Sequence, residues 1–113
     1  MLIRNDAILL NYSSEQVFEF IYQNKYRSKW DKVLLNYHTY EYLSDGQDKV
    51  YFFVEAGVPF VSKRDYTEIR GFKRDFPLKG DICVVTFSID DPNNPPKKDI
   101  IRACTNISGY IIR

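Results

Sequence analysis

Few side chains in this sequence combine a type and a spacing that could do chemistry. Arg27 and Asp31 stand four apart in the run YRSKWD (26–31), and on a helix that spacing puts both on one face. Such a pair could together meet a charged ligand. The plainer alternative is a surface ion pair worth under about 1 kcal/mol. Arg64 and Asp65 are adjacent, and we expect them to form a structural ion pair that pins the base of the loop before them. Arg70 follows Tyr66 by four residues, on the same face of a strand. Arg102 shares its strand face with Cys104 and Asn106 and suits either ligand contact or structure.

The remaining reactive residues point away from catalysis. His38 is the one histidine, in a strand whose even positions are Leu34, Asn36, Tyr40 and Tyr42, and it reads as a structural or surface residue. Cys83 and Cys104 lie in different strand patterns with no CxxC pair, so two small buried thiols are expected rather than a disulfide or a zinc site. No glycine-rich phosphate loop, metal cluster or Ser/His/Asp arrangement can be assembled, and no cofactor is implied.

The elements that must position these side chains are short. Residues 3–12 alternate, with Ile8, Leu10 and Tyr12 on one side and Ala7 and Leu9 on the other, which predicts a strand. Ser13 stands three residues before Gln16, a capping-box spacing, and Val17, Phe18, Ile21 and Tyr22 recur at helical intervals through Lys25. Tyr26 to Asp31 contains no breaker and adds a second helical turn or two. Period-2 alternation returns from Val33 to Leu43, Ser44-Asp45-Gly46 supplies a turn, and 49–56 forms the second arm of a hairpin. Gly57-Val58-Pro59-Phe60-Val61 interrupts that arm as a loop with exposed apolar residues, since proline cannot donate to a ladder. Strands follow at 64–72 and 82–90, a connection at DPNNPPKK (91–98), and one long strand over 99–113.

A chain of 113 residues allows one domain with a real core. A net charge of +1, from 16 Lys+Arg against 15 Asp+Glu, gives no footprint for nucleic acid. No apolar stretch approaches the roughly 20 residues of a spanning helix, and no signal peptide is evident. A cytoplasmic segment is expected. Nine Tyr, eight Phe and one Trp suit walls that are partly apolar and partly hydrogen-bonding, although Tyr-rich strands are also ordinary sheet. The order of elements predicts an α+β protein with one curved antiparallel sheet. One short helical region at 14–31 cannot cover five strands, so a long helix elsewhere, a bound ligand or a partner chain must complete the apolar face.

In order along the chain, YRSKWD (26–31), GVPFVSKRDY (57–66), FSIDDP (87–92) and IIRACTNISGYII (100–112) resemble a START domain. These are the lipid-transfer domains named after the steroidogenic acute regulatory protein. The resemblance implies a helix-grip fold, with residues 1–113 forming part of one domain that lacks its N-terminal portion and its long C-terminal helix. YRSKWD and SKRDY are most similar to the phosphatidylcholine-transfer branch. That likeness implies headgroup roles for Arg27, toward phosphate, and for Asp31. It also implies an aromatic choline cage at Phe53, Tyr66 and Asn106, with Asn106 standing where the third aromatic would be. Arg70 matches a cavity arginine of the cholesterol-binding members, whose acidic partner position is Tyr51 here. The loop from Gly57 to Ser62 matches the family's lipid gate, with Val58, Pro59 and Phe60 dipping into a membrane surface.

The function implied is binding and transfer of one lipid, with a phospholipid favoured over a sterol or ceramide, at the periphery of membranes and without catalysis. A lipid-sensing module and a helix-grip enzyme are the alternatives. Transfer would move lipid from one vesicle population to another, a sensor would bind without net movement, and hydrolysis products would refute both. The uncovered sheet also predicts self-association of this chain, possible through exchange of elements between copies. Sedimentation should therefore show oligomers, and a monodisperse monomer that binds no hydrophobic dye would contradict the expectation.

Overall fold

Ser13 starts the ordered helical region in the way its spacing requires. Its side chain accepts from the Gln16 backbone at 3.1 Å, and Gln16 Oε1 accepts from the Ser13 N–H at 2.8 Å. Two otherwise orphaned donors are satisfied reciprocally. The computed structural model describes residues 2–55 and 57–113. Within them α1 runs Ser14–Tyr22, and Gln23, in extended conformation, separates it from α2, Asn24–Trp30. The indole N–H of Trp30 donates to the Phe20 carbonyl at 2.7 Å and folds the second helix back on the first.

Strands β1 (Leu35–Tyr42), β2 (Asp48–Val54), β3 (Arg64–Arg74) and β4 (Ile82–Ser88) form an antiparallel meander. The first hairpin turns where expected, with Asp45 and Gly46 both at positive φ, 57° and 75°. A Cβ at Gly46 would fall 2.5 Å from the Phe72 ring, so the turn also depends on the missing side chain. β5 (Ile101–Arg102) and β6 (Ser108–Ile112) complete a six-stranded sheet of order β1-β2-β3-β4-β6, with β5 beside β3.

Two expectations are corrected. The long strand over 99–113 is split. β4 ends at Ser88 opposite Glu68, which leaves the beginning of β3 without a neighbour on that side. β5 fills the gap by pairing parallel with Arg64 and Asp65, and the chain then steps one lane outward so that β6 can pair with β4 from Thr86 to Ile82. Residues 3–12 are not a strand. Ile8 and Leu10 alternate as a strand would, but no strand lies beside them among the described residues, and both are largely exposed. Alternation permits pairing; only a partner supplies the ladder.

α1 lies across the inner face of the sheet. Phe18, Ile82, Val84 and Ile112 form the buried centre, with Val17, Ile21, Tyr22 and Phe72 packed around it. On the outer face the 91–98 connection folds back over β1–β3, held where Asp91 accepts from Tyr40 at 2.7 Å and pairs with Lys49 at 3.3 Å. No helix among the described residues is long and apolar enough to cross a membrane. The thiols are not buried as expected: Cys83 is half-buried and Cys104 exposed.

Of the glycines, Gly109 has the tightest surroundings: a Cβ there would lie 2.0 Å from the Val84 carbonyl oxygen. That oxygen belongs to the sheet and cannot rotate away. Gly109→Ala should lower stability by about 1–3 kcal/mol, the range for overpacking. Urea denaturation would check it, and an unchanged midpoint would show that β6 does not sit against β4.

Candidate functional site

Adjacent strand residues point to opposite faces, and the register decides which side chains can meet. Phe52 pairs with Tyr66, Val50 with Glu68 and Asp48 with Arg70, so these six share the inner face beneath the helices. Phe53 pairs with Asp65 on the outer face. The expected cage of Phe53, Tyr66 and Asn106 therefore does not assemble. Phe53 lies under the Lys63 ammonium at 5.2 Å, and Asn106 is exposed between β5 and β6. The ring that meets Tyr66 is Phe52, stacked at 4.8 Å between centroids and 12° between planes. Tyr37 stacks on the other flank of Phe52 at 5.4 Å. A one-residue difference in register separates Phe52 from Phe53, and sequence alone does not carry it across a hairpin.

Arg70 is the most heavily bonded side chain among the described residues. Its Nε and Nη2 donate to Asp48 at 2.6 and 2.9 Å, Nη1 donates to the Tyr22 carbonyl at 2.8 Å and the Tyr37 hydroxyl at 3.2 Å, and Nη2 also donates to Asn24 Oδ1 at 2.8 Å. A guanidinium has five N–H groups, and these contacts use them all. Burial acts against the charge, but the Asp48 hydrogen bonds and attraction from nearby groups outweigh it and raise the Arg70 pKa. Arg70 lines the cavity, but its donors are all engaged within the protein, where it ties β2 and β3 to the α1–α2 junction. Its acidic partner is Asp48, directly opposite on β2, rather than a residue at position 51. Burial pushes the Tyr22 phenol up to about 12, and burial likewise raises Tyr37.

Arg27 differs. It pairs with Asp31 at 3.1 Å through Nε, as the spacing predicts, with both side chains 17% exposed. Its Nη1 reaches the Ile21 carbonyl at 3.5 Å, and its guanidinium lies 4.9 Å from the Trp30 ring. Among the described residues nothing accepts from Nη2. Arg27 lines a cavity of about 180 Å³ between the helices and the sheet, shared with Tyr37, Phe52, Glu68, Arg70 and Thr86 among others. Asp31 lines an adjoining hollow with Ser28 and Leu34. The cavity is smaller than the roughly 300–1,000 Å³ of typical ligand pockets, and so smaller than a whole lipid was expected to require. Glu68 was not anticipated, although it stands midway between Tyr66 and Arg70, and the alternation that puts those two on one strand face puts Glu68 there as well.

The loop before β3 is closed differently from expectation. Arg64 is exposed, and Asp65 is buried with a different partner, Arg102, at 2.7 Å. Tyr51 also donates to Asp65, at 2.8 Å, on the outer face. Lys63 pairs with Glu55 across the loop base at 2.9 Å. Within the loop Val58, Pro59 and Phe60 are exposed, Phe60 fully so. His38 is exposed and its Nδ1 lies 2.8 Å from the Asn36 carbonyl.

Two short helices laid across an antiparallel sheet, with a cavity of mixed polar and apolar lining between them, define a helix-on-sheet domain. The START domain family matches residues 7–113, and this chain belongs to it. START domain-containing protein 10 of mouse and of human is each 26% identical over 100 residues, covering 88% of this chain and 33% of theirs. The chain thus spans about a third of the length of these curated relatives. Among solved structures, human STARD10 superposes with a TM-score of 0.77 at 24% identity, over 88% of this chain and 39% of that one. Human StAR-related lipid transfer protein 5 superposes at 0.75 with 20% identity, over 88% and 47% of the two chains. The lipid transfer and protein localization domain of human StarD13 does so at 0.73 with 21% identity, over 88% and 48%. At these identities the superpositions establish the helix-grip fold.

The Asp65 lock makes stability depend on pH. Burial acts to raise the Asp65 carboxyl, but hydrogen bonds from Arg102 and Tyr51 outweigh it, and the net shift is below the ordinary value of 3.8. A depressed carboxyl stabilises the fold above its unfolded pKa and loses that contribution as pH falls through its folded value. The stability gap between the wild type and Asp65→Asn should therefore be full near about pH 7 and shrink toward about pH 3. Urea midpoints across that range would test this, and a gap that does not change with pH would show that Asp65 is not held ionised by its partners.

Proposed function

We propose that this domain binds a single lipid and carries it between membranes, holding a zwitterionic phospholipid headgroup between the helices and the sheet. The observation that carries this reading is Arg27: it faces the cavity with an arm of its guanidinium unspent, whereas Arg70, the other cavity arginine, has none to offer. A guanidinium with open donors in a partly buried site matches phosphate oxygens. Membership of the START family and the lipid-transfer names of the solved neighbours support a lipid as the ligand. Phosphatidylcholine, to which the YRSKWD resemblance points, falls within the proposed class. The exposed Val58-Pro59-Phe60 loop supports transient contact with a membrane surface, where apolar side chains gain by leaving water.

Transport follows from partition. Each CH₂ moved from water into an apolar cavity gains about 0.8 kcal/mol, so acyl chains travel only when shielded. The acyl chains would need a volume beyond the headgroup cavity, and the space over the inner face of the sheet is the place for them.

The test is native mass spectrometry with lipid extraction on the full-length protein after incubation with mixed vesicles, followed by transfer between donor and acceptor vesicles. The expected result is one phospholipid per chain and net transfer. Arg27→Ala should weaken both about tenfold, the loss of one charge-assisted hydrogen bond. Binding without net movement would favour a sensor; sterol alone, or no lipid, would overturn the phospholipid reading.

A further inference from the structure

Glu68 is a carboxylate the proposed phosphate contact does not use. It is 6% exposed, lines the same cavity as Arg27, and its one hydrogen bond among the described residues is from the Thr86 hydroxyl at 3.1 Å. The two arginines at the cavity are each matched to another acid, Arg27 to Asp31 and Arg70 to Asp48. Glu68 is thus one carboxylate in excess in a confined space, and a buried acid without a cation is costly unless a ligand supplies a donor.

The aromatic rings of the same face are not disposed to supply the alternative. A cage for a quaternary ammonium needs open ring faces. Phe52, on the middle strand, has Tyr37 stacked on one flank and Tyr66 on the other. Tyr37 in turn has the guanidinium groups of Arg27 and Arg70 at 5.8 and 5.6 Å from its centroid. Both flanks of Phe52 are thus covered by other rings, and Tyr37 already meets the protein's own cations.

Resting on the phospholipid reading above, we propose that Glu68 selects the nitrogen end of the headgroup, accepting N–H donors from a primary ammonium such as that of phosphatidylethanolamine in preference to trimethylated choline. Phosphate and ammonium in such a headgroup are joined by two carbons, so one side of the cavity, Arg27, meets the phosphate while Glu68 meets the nitrogen. Choline presents the same charge with no N–H, and its methyl groups would leave the carboxylate without a hydrogen bond.

The experiment uses the full-length protein and vesicles carrying phosphatidylethanolamine, its N-methyl and N,N-dimethyl derivatives, or phosphatidylcholine, all with identical acyl chains. Transfer should fall stepwise as N–H donors are replaced, with the primary amine favoured over choline by roughly tenfold, the value of one hydrogen bond to a buried charge. In Glu68→Gln the ratio should collapse toward one, and a ratio does not depend on how much of the variant is folded. Equal transfer of the four lipids by the wild-type protein overturns the proposal while leaving phospholipid transfer standing. Transfer of none of them overturns both. An unchanged ratio in Glu68→Gln assigns the discrimination to other groups.

Discussion

The ion pair between Arg70 and Asp48 organises the rest of the molecule. The two residues face each other across the β2–β3 ladder, both nearly inaccessible, and the arginine reaches past its partner to the last carbonyl of α1 and the first side chain of α2. Thr39 adds a hydroxyl to Asp48 and Asn24 donates to Thr39, so β1 joins the same network. A buried pair of this kind is not a large source of net stability, because desolvation offsets most of the attraction. Its effect here is geometric: it sets where the helical pair sits over the sheet, and with it the position of Arg27.

That constraint separates two arginines that a sequence presents as equivalent. With every donor engaged, Arg70 acts as scaffold; with donors to spare, Arg27 is available to a ligand. Glu68 lines the same cavity from β3, two residues from Arg70, and inherits the inner face from the same register. The outer face has its own organising pair in Asp65 and Arg102, which brings the final segment of the chain against β3 and carries the 91–98 connection with it. The inner face thus carries both the self-saturated Arg70 network and the cavity-lining Arg27 and Glu68, while the outer face concentrates polar groups that meet one another.

Local signals were legible wherever a few neighbouring residues settle the conformation. The Ser13–Gln16 capping box, the Asp45-Gly46 turn, the proline-interrupted loop at 57–63 and the Arg27–Asp31 spacing each depend on contacts within a handful of positions, and each is present as read. The failures are all non-local. Residues 3–12 have the alternation of a strand without a strand beside them. The last strand changes lanes because of where β4 ends. Arg64-Asp65 is a plausible pair by adjacency, yet alternation sends the two side chains to opposite faces and gives Asp65 to Arg102.

The sequence by itself determined the class of the fold, the family, and the pairing of Arg27 with Asp31 on one helical face, since capping, periodicity and a helical i, i+4 spacing are short-range physics written in consecutive residues. Only the tertiary structure decided that Phe52 rather than Phe53 meets Tyr66, that Arg70 is saturated, and that Glu68 faces the cavity. Each of those depends on strand register, and a shift of one residue exchanges the two faces of a strand without altering its pattern of types.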